Sequence, residues 1–328
     1  MNIIMYPKLL ILSLVSTFLY SVFIKAFKRI GQTERKLGLS THQHKTGTRT
    51  AGGLIFLYLP LLFIEYSFDI LMIVIGTSLY GLLGLVDDIL IVKFKNNEGI
   101  SPKLKLFLQI IIGSIIFYFY LAYNNPTYLT LFGVKINIKW LYGLLIVWVL
   151  VSSTNAWNLI DGVDGLCGGC SLIFAVGLGI IAFKMNELNI LKLIIVYHIP
   201  IFIFWCLNLP KAFLFMGNVG SLGLGAFYAC VSIYLNSLTS YVVMALLIIF
   251  ETVSVIIQVG YFKKTKGKRL FKMAPFHHHL EKSGLKELEV DLLFYFIQLI
   301  LVIIVIVSMI WNYKYNLFFS WLYKWNFI

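Results

Sequence analysis

Residues 70–92 read ILMIVIGTSLYGLLGLVDDILIV. As a helix rising 1.5 Å per residue, this run is about 35 Å long, enough to cross the ~30 Å hydrocarbon core of a bilayer. Its only carboxylates, Asp87 and Asp88, are adjacent and lie near its C-terminal end. It reads as a membrane span with a polar terminus. Nine more stretches read the same way, near 5–24, 51–68, 106–123, 140–156, 168–183, 190–207, 219–236, 240–262 and 292–311. The 328-residue chain is 60% hydrophobic and 16% aromatic, with 12% charged residues against a usual share of about 25%. Its mean hydropathy is +0.88. A water-soluble core cannot hide that much apolar surface. Four cysteines and seven prolines exclude a disulfide-stapled or collagen-like chain, and the apolar runs exclude disorder. The expected fold is an all-α integral membrane protein of about ten transmembrane helices, one domain over 1–328. The first span lacks a basic leader and a small-residue cleavage site, so it reads as a retained helix.

The net charge of +13 acquires meaning once the charges are placed. One set of alternate loops carries 20 of the 27 Lys and Arg, in segments 25–49, 93–105, 211 and 263–286. By the positive-inside rule these loops are cytoplasmic and both termini lie outside. The basic excess therefore reports topology and an anionic partner, not nucleic acid.

Five polar motifs fall on that same side: HKTGTRTAGG (44–53), the Asp87–Asp88 pair, NAWNLIDGVDGL (155–166), FMGNVGSLGLG (215–225) and FKMAPFHHHLE (271–281). Their convergence marks an active site. Each has a plainer reading beside the functional one. Asp87 and Asp88 could be a solvated helix end, although acids at a membrane edge are costly and usually functional. Asp161 and Asp164, at i and i+3, would share a helix face, as would Asn155 and Asn158. Two acidic pairs could hold a hard divalent cation together with phosphate oxygens. The glycines either allow close backbone approach to a ligand or serve helix packing. Consecutive His277, His278 and His279 do not match a zinc site and suit donors to phosphate or sugar. Cys167 and Cys170 read as small packing residues, and His198 as a core histidine. Glu251, alone in an apolar span, is either a hydrogen-bonded structural carboxyl or a group near the site.

These motifs, in this order from about residue 28 to 305, resemble the polyprenyl-phosphate N-acetylhexosamine-1-phosphate transferases. The run RLFKMAPFHHHLE resembles the phospho-N-acetylmuramoyl-pentapeptide transferase branch. The resemblance implies transfer of phospho-N-acetylmuramoyl-pentapeptide from its UDP donor to undecaprenyl phosphate, giving lipid I and UMP for peptidoglycan and cell-wall synthesis. The setting would be a bacterial inner membrane with the active-site cleft on the cytoplasmic face, the cofactor Mg²⁺, and the assembly a homodimer. It assigns catalytic roles to Asp87, Asp88, Asp161 and His277, with Asp87 a base on the lipid phosphate. It assigns substrate contacts to Lys45, Asn155, Asn158, Asp164, Asn208, Phe215, Gly217, Gln258, His278 and His279. Metal contacts would come from Asp87, Asp88, Asp161 and position 218. One-step attack and a covalent aspartyl-phosphate route are both open.

The chain departs from the family pattern in three places. Asn218 stands where MGDxGS has its Asp, Arg49 where GTPT has Pro, and Ile91 where a Lys often follows the acidic pair. Asn218 removes a formal charge from the implied metal site. The alternatives to the main reading are transfer of another UDP-amino-sugar phosphate, an impaired substrate-binding relative, and a transporter. Polar motifs gathered at one face, instead of at the bilayer midplane, argue against the last.

Overall fold

The computed structural model describes residues 5–26, 48–94, 99–123, 126–131 and 134–325. It is a bundle of helices: α1 (Met5–Ala26), α2 (Gly53–Tyr58, continued by a 3-10 turn Leu59–Leu62), α3 (Phe68–Phe94), α4 (Pro102–Ala122), α5 (Leu141–Ile160), α6 (Leu166–Lys184), α7 (Leu188–Asn208), α8 (Gly217–Tyr234), α9 (Leu238–Met244), α10 (Leu246–Lys264), α11 (Phe276–Lys282) and α12 (Glu287–Trp325). Between α4 and α5 lies one antiparallel hairpin, β1 (Tyr128–Leu131) with β2 (Val134–Asn137), in register Tyr128 to Asn137.

Among the described residues, eight helices are long and apolar enough to cross a membrane: α1, α3, α4, α5, α6, α7, α10 and α12. The expected ten are not all of this kind. The span read at 51–68 is a short helix and a 3-10 turn, because Pro60 and a polar segment from Glu65 to Ser67 stop it. The span read at 240–262 is broken at Ala245 into α9 and α10, and the Gln298 amide donates to the freed Met244 carbonyl at 2.9 Å. The span read at 219–236 is α8. It carries many Gly and Ser, and all of its residues from Val219 to Ile233 are buried.

That burial explains the composition of α8. Helices α1, α4 and α12 turn Leu14, Phe107, Phe296 and similar side chains outward, as lipid-facing helices do. Helix α8 faces protein all round, principally α3 and α5, so small residues that admit close backbones replace large apolar ones. The tightest approach is at Gly84 of α3, where an added Cβ would lie 2.2 Å from the Asn218 carbonyl oxygen. Several polar side chains inside the bundle are hydrogen-bonded to one another or to backbone. Ser153 donates to the Gly225 carbonyl at 2.6 Å, and the Tyr228 hydroxyl lies between Ser171 and His198 Nε2. His198 is thus a core histidine, and Cys167 and Cys170 are buried free thiols in the core.

The α3–α8 contact yields a paired prediction. Gly84→Ala forces backbone apart and should destabilise the purified protein by about 1–3 kcal/mol or more. Gly260→Ala in α10, where nothing lies within 4 Å of the new methyl, should leave the protein as stable or gain about 0.5–1 kcal/mol. Thermal unfolding in one detergent, run on both variants, checks the contrast.

Candidate active site

The motifs gather at the end of the bundle where α3, α5, α7 and α10 finish and α8 begins. Asp88 secures this end. Its two carboxylate oxygens accept the backbone N–H groups of Asn218 and Val219, each at 3.0 Å. These are free donors in the first turn of α8, and a carboxylate there also meets the positive end of the helix dipole. Asp88 therefore caps a helix that its own helix packs against. On the far side, the 49–53 segment is tied to 214–216: Phe215 N–H donates to the Arg49 carbonyl at 2.7 Å and Gly52 N–H to the Phe215 carbonyl at 2.9 Å. It is the Arg49 carbonyl that makes this contact, so replacement of the pattern's Pro by Arg leaves it intact.

Asp87 faces the other way, into a cavity of about 810 Å³ lined also by Ile91, Ile100, Lys105, Gln109, Asn155, Asn158 and Asn218. One of its oxygens accepts Ile100 N–H at 2.7 Å. The other accepts Lys105 Nζ at 2.8 Å and the Asn218 amide at 3.0 Å. Asn218 in turn accepts a hydrogen bond from Asn158 at 2.7 Å, and Asn158 also donates to Ser221 Oγ at 2.8 Å. Asn155 donates to Gln109 Oε1 at 2.8 Å. Among the described residues, the polar part of the cleft wall is thus one carboxylate, one lysine and a chain of amides. Ile91 gives the wall an apolar surface where the family pattern often has a lysine, so Lys105 is the cation on Asp87.

The second half of the site is a turn. Asp161 and Asp164 do not share a helix face as their spacing suggests. Helix α5 ends at Ile160, Asp161 is its C-cap at φ −79°, ψ 44°, and the chain reverses to α6 through Gly165 at φ +85°. The cause is Gly162 and Gly165, which make a turn cheaper than another helical turn. Asp164 is buried and accepts Ala212 N–H at 3.0 Å. Asn208 accepts Gly165 N–H at 3.0 Å and donates to the Leu214 carbonyl at 2.8 Å. Gln258 accepts the N–H groups of Leu270 and Phe271. These three side chains hold loops in place. Facing the turn are His277 and His278: a Cβ on Gly162 would lie 2.7 Å from His277 Nε2 and 3.4 Å from His278 Nε2. His279 points elsewhere, accepting Lys272 N–H at 3.1 Å beside Phe271 and Phe276. Gly217 starts α8 at φ +72° with Thr50 and Asp88 close by. Lys45 lies outside the described residues.

Three groups at this site lie beyond the catalytic, substrate and metal residues that the resemblance assigns. Lys105 and Gln109 are four apart on α4 and both polar on an apolar helix, a pattern that marks one face. Glu251 is the third: it is fully buried and accepts from His277. Its isolation in an apolar span was the available signal.

Among the described residues, no three His, Cys, Asp or Glu groups are placed to hold a metal ion together. Asp88 is turned to α8, and Asn218 presents its NH₂, not its oxygen, to Asp87. Asp87 and an Asn218 amide turned about its last bond still offer two oxygens to an open cavity. Mg²⁺ is commonly held by one or two protein oxygens, with waters and substrate phosphates completing the shell. The residues present fit such a shared site and not a preformed cage.

Comparison with known proteins agrees with the motifs. Residues 70–236 match the model of the family described as glycosyl transferase family 4. The chain is 38% identical over 290 residues to a phospho-N-acetylmuramoyl-pentapeptide-transferase of Streptococcus sanguinis, covering 84% of this chain and 89% of that protein. It is also 38% identical over 305 residues to the protein of the same name from Staphylococcus aureus, covering 88% and 95%. The Streptococcus pneumoniae protein of that name is 37% identical over 273 residues, covering 80% and 83%. On this family match and these identities over most of both chains, the chain belongs to glycosyl transferase family 4, among the phospho-N-acetylmuramoyl-pentapeptide transferases.

Proposed function

We propose that this multi-pass membrane enzyme is a phosphoglycosyl transferase that moves phospho-N-acetylmuramoyl-pentapeptide from UDP-N-acetylmuramoyl-pentapeptide to undecaprenyl phosphate, forming lipid I and releasing UMP. The observation that carries this reading is the cleft lined by Asp87, Lys105, Asn158 and Asn218, at the bundle end that also holds the Asp161 turn and His277. Two polyanions must meet in the reaction, and the loops at this end are strongly basic. The positive-inside rule puts that end in the cytoplasm, where the nucleotide substrate is, and both termini outside.

In the transfer, an oxygen of the lipid phosphate attacks the β-phosphorus of the UDP-sugar. A new P–O bond forms, the bond from that phosphorus to the bridging oxygen breaks, and UMP leaves with the electron pair. A phosphate monoester has its second pKa near 6, so at neutral pH the attacking oxygen needs no strong base. Asp87, whose oxygens already accept three hydrogen bonds, is a weak nucleophile in this arrangement, which favours one-step attack over an aspartyl-phosphate. Its role is to hold Lys105 Nζ at the cleft wall, where the ammonium offsets phosphate charge. Bound Mg²⁺ would supply further neutralisation of the pyrophosphate. Asp87 with Asn218 would hold it.

The assay is formation of lipid-linked product and UMP by purified protein with undecaprenyl phosphate, Mg²⁺ and UDP-N-acetylmuramoyl-pentapeptide, beside UDP-N-acetylglucosamine. Product from the first donor alone is expected, and product from the second alone would overturn the assignment. Asp87→Asn should lower turnover by about 10²–10³-fold.

Asn218→Asp gives a second test. It sets a second carboxylate against Asp87 across the present 3.0 Å contact, a repulsion of about 5 kcal/mol at an effective dielectric near 20 before Lys105 and salt reduce it. Without Mg²⁺ the variant should unfold at lower temperature than the parent. With Mg²⁺ it should recover, and it should saturate at roughly tenfold lower Mg²⁺. Equal Mg²⁺ dependence of both unfolding and turnover in the two proteins would remove position 218 from the metal site. For topology, an impermeant thiol reagent applied to intact cells should label Asn2→Cys and not Lys266→Cys, in a background without the exposed Cys206.

A further inference from the structure

Glu251 and His277 are both completely buried. One Glu251 oxygen accepts the His277 backbone N–H at 3.1 Å, and the other lies 3.1 Å from His277 Nδ1. A ring nitrogen this close to a carboxylate carries the proton of the contact, so Nε2 is the only ring site left for chemistry. That Nε2 has no hydrogen-bond partner although it is buried, and it is aimed at Gly162, the residue after Asp161. The neighbouring ring repeats the arrangement. His278 Nδ1 lies 2.7 Å from Glu281, and His278 Nε2 approaches the same point above Gly162. The two ring centres are 4.2 Å apart.

We infer that Glu251 is a positioning residue for the transfer reaction: it holds His277 with Nδ1 protonated, so that Nε2 meets a phosphate or sugar oxygen of the nucleotide substrate over the Asp161–Gly162 turn. This rests on the transferase reading. A carboxylate that served only to stop α11 from fraying would need the backbone contact alone. The ring contact, the orphaned Nε2 and the glycine that gives it room have no use in that case. Gly162 belongs to the device because any side chain there would occupy the space in front of Nε2.

The test uses the full-length protein in lipid-supplemented detergent, with Glu251→Gln, His277→Ala and the double variant. A glutamine oxygen can still accept the backbone N–H, while its NH₂ faces Nδ1 and forces the ring proton to Nε2. Glu251→Gln should keep the melting temperature and the KM for the UDP-sugar, lower kcat about tenfold or more, and change the pH profile of kcat. The double variant should be no slower than His277→Ala, since both remove one function. Losses that multiply in the double variant, or a Glu251→Gln enzyme with parental kcat and pH profile, would overturn the inference. Should Glu251→Gln fail to fold, Gly162→Ala is read in its place, with the same expected equivalence to His277→Ala. A parent protein with no transferase activity defeats the functional reading instead. The positioning geometry is then decided by imidazole ¹⁵N spectra of histidine-labelled protein: a protonated Nδ1 assigned to His277 should be present in the parent and lost in Glu251→Gln.

Discussion

A carboxylate of one helix closing the open end of another is the contact around which the active end is arranged. Asp88 sits on the last turns of α3, yet both its oxygens go to the first backbone amides of α8. Those amides would otherwise be orphaned inside protein, where an unpaired polar group is costly. The contact exists only because Gly84, one turn earlier, lets the two backbones touch. Once α8 is pinned there, Asn218 has to lie beside Asp87, and the residue before Asp88 is directed into the cleft.

The same constraint accounts for the unusual composition of α8. Lipid-facing helices in this chain are long and apolar because nothing else satisfies the bilayer. A helix enclosed by α3, α5 and α2 has the opposite need. It must let neighbours approach, and its hydroxyls must find partners. Gly53, Gly84 and Gly225 lie at close contacts with it or within it, and Ser153 and Ser221 supply hydrogen bonds. A hydropathy scan reads such a helix weakly, although it is the most buried in the bundle.

Around the cleft, most polar side chains act on backbone and only a few are left for a ligand. Asp164, Asn208 and Gln258 each hold a loop. Asp87 with Lys105 and the Asn158–Asn218 amides line the cavity instead, and His277 Nε2 is buried without a hydrogen-bond partner. The substitution at 218 is compatible with this arrangement because an amide can donate to Asp87, whereas a second carboxylate needs a cation between them. Charge and geometry at this position are coupled, and among the described residues Lys105 supplies the neutralisation of Asp87.

The sequence by itself determined the class of the fold and which polar motifs gather at one end of the bundle. Runs of some twenty apolar residues admit no soluble reading, and their polar ends fall on alternate loops, so the motifs had to meet on one side. Asp87, Asn158, Asn218 and His277 were legible for that reason. Tertiary structure alone decided what each polar group does. Asp87 and Asp88 look equivalent as neighbours, but successive residues on a helix point about 100° apart, so one meets the cleft and the other caps α8. Asp161 and Asp164 have helical spacing, yet Gly162 and Gly165 let the chain turn there. Glu251 has no local partner in sequence, and its role appears only because α11 folds back 26 residues later and delivers His277 to it. Periodicity reports on neighbours along one helix, whereas these contacts join residues far apart in the chain, and only packing brings them within reach.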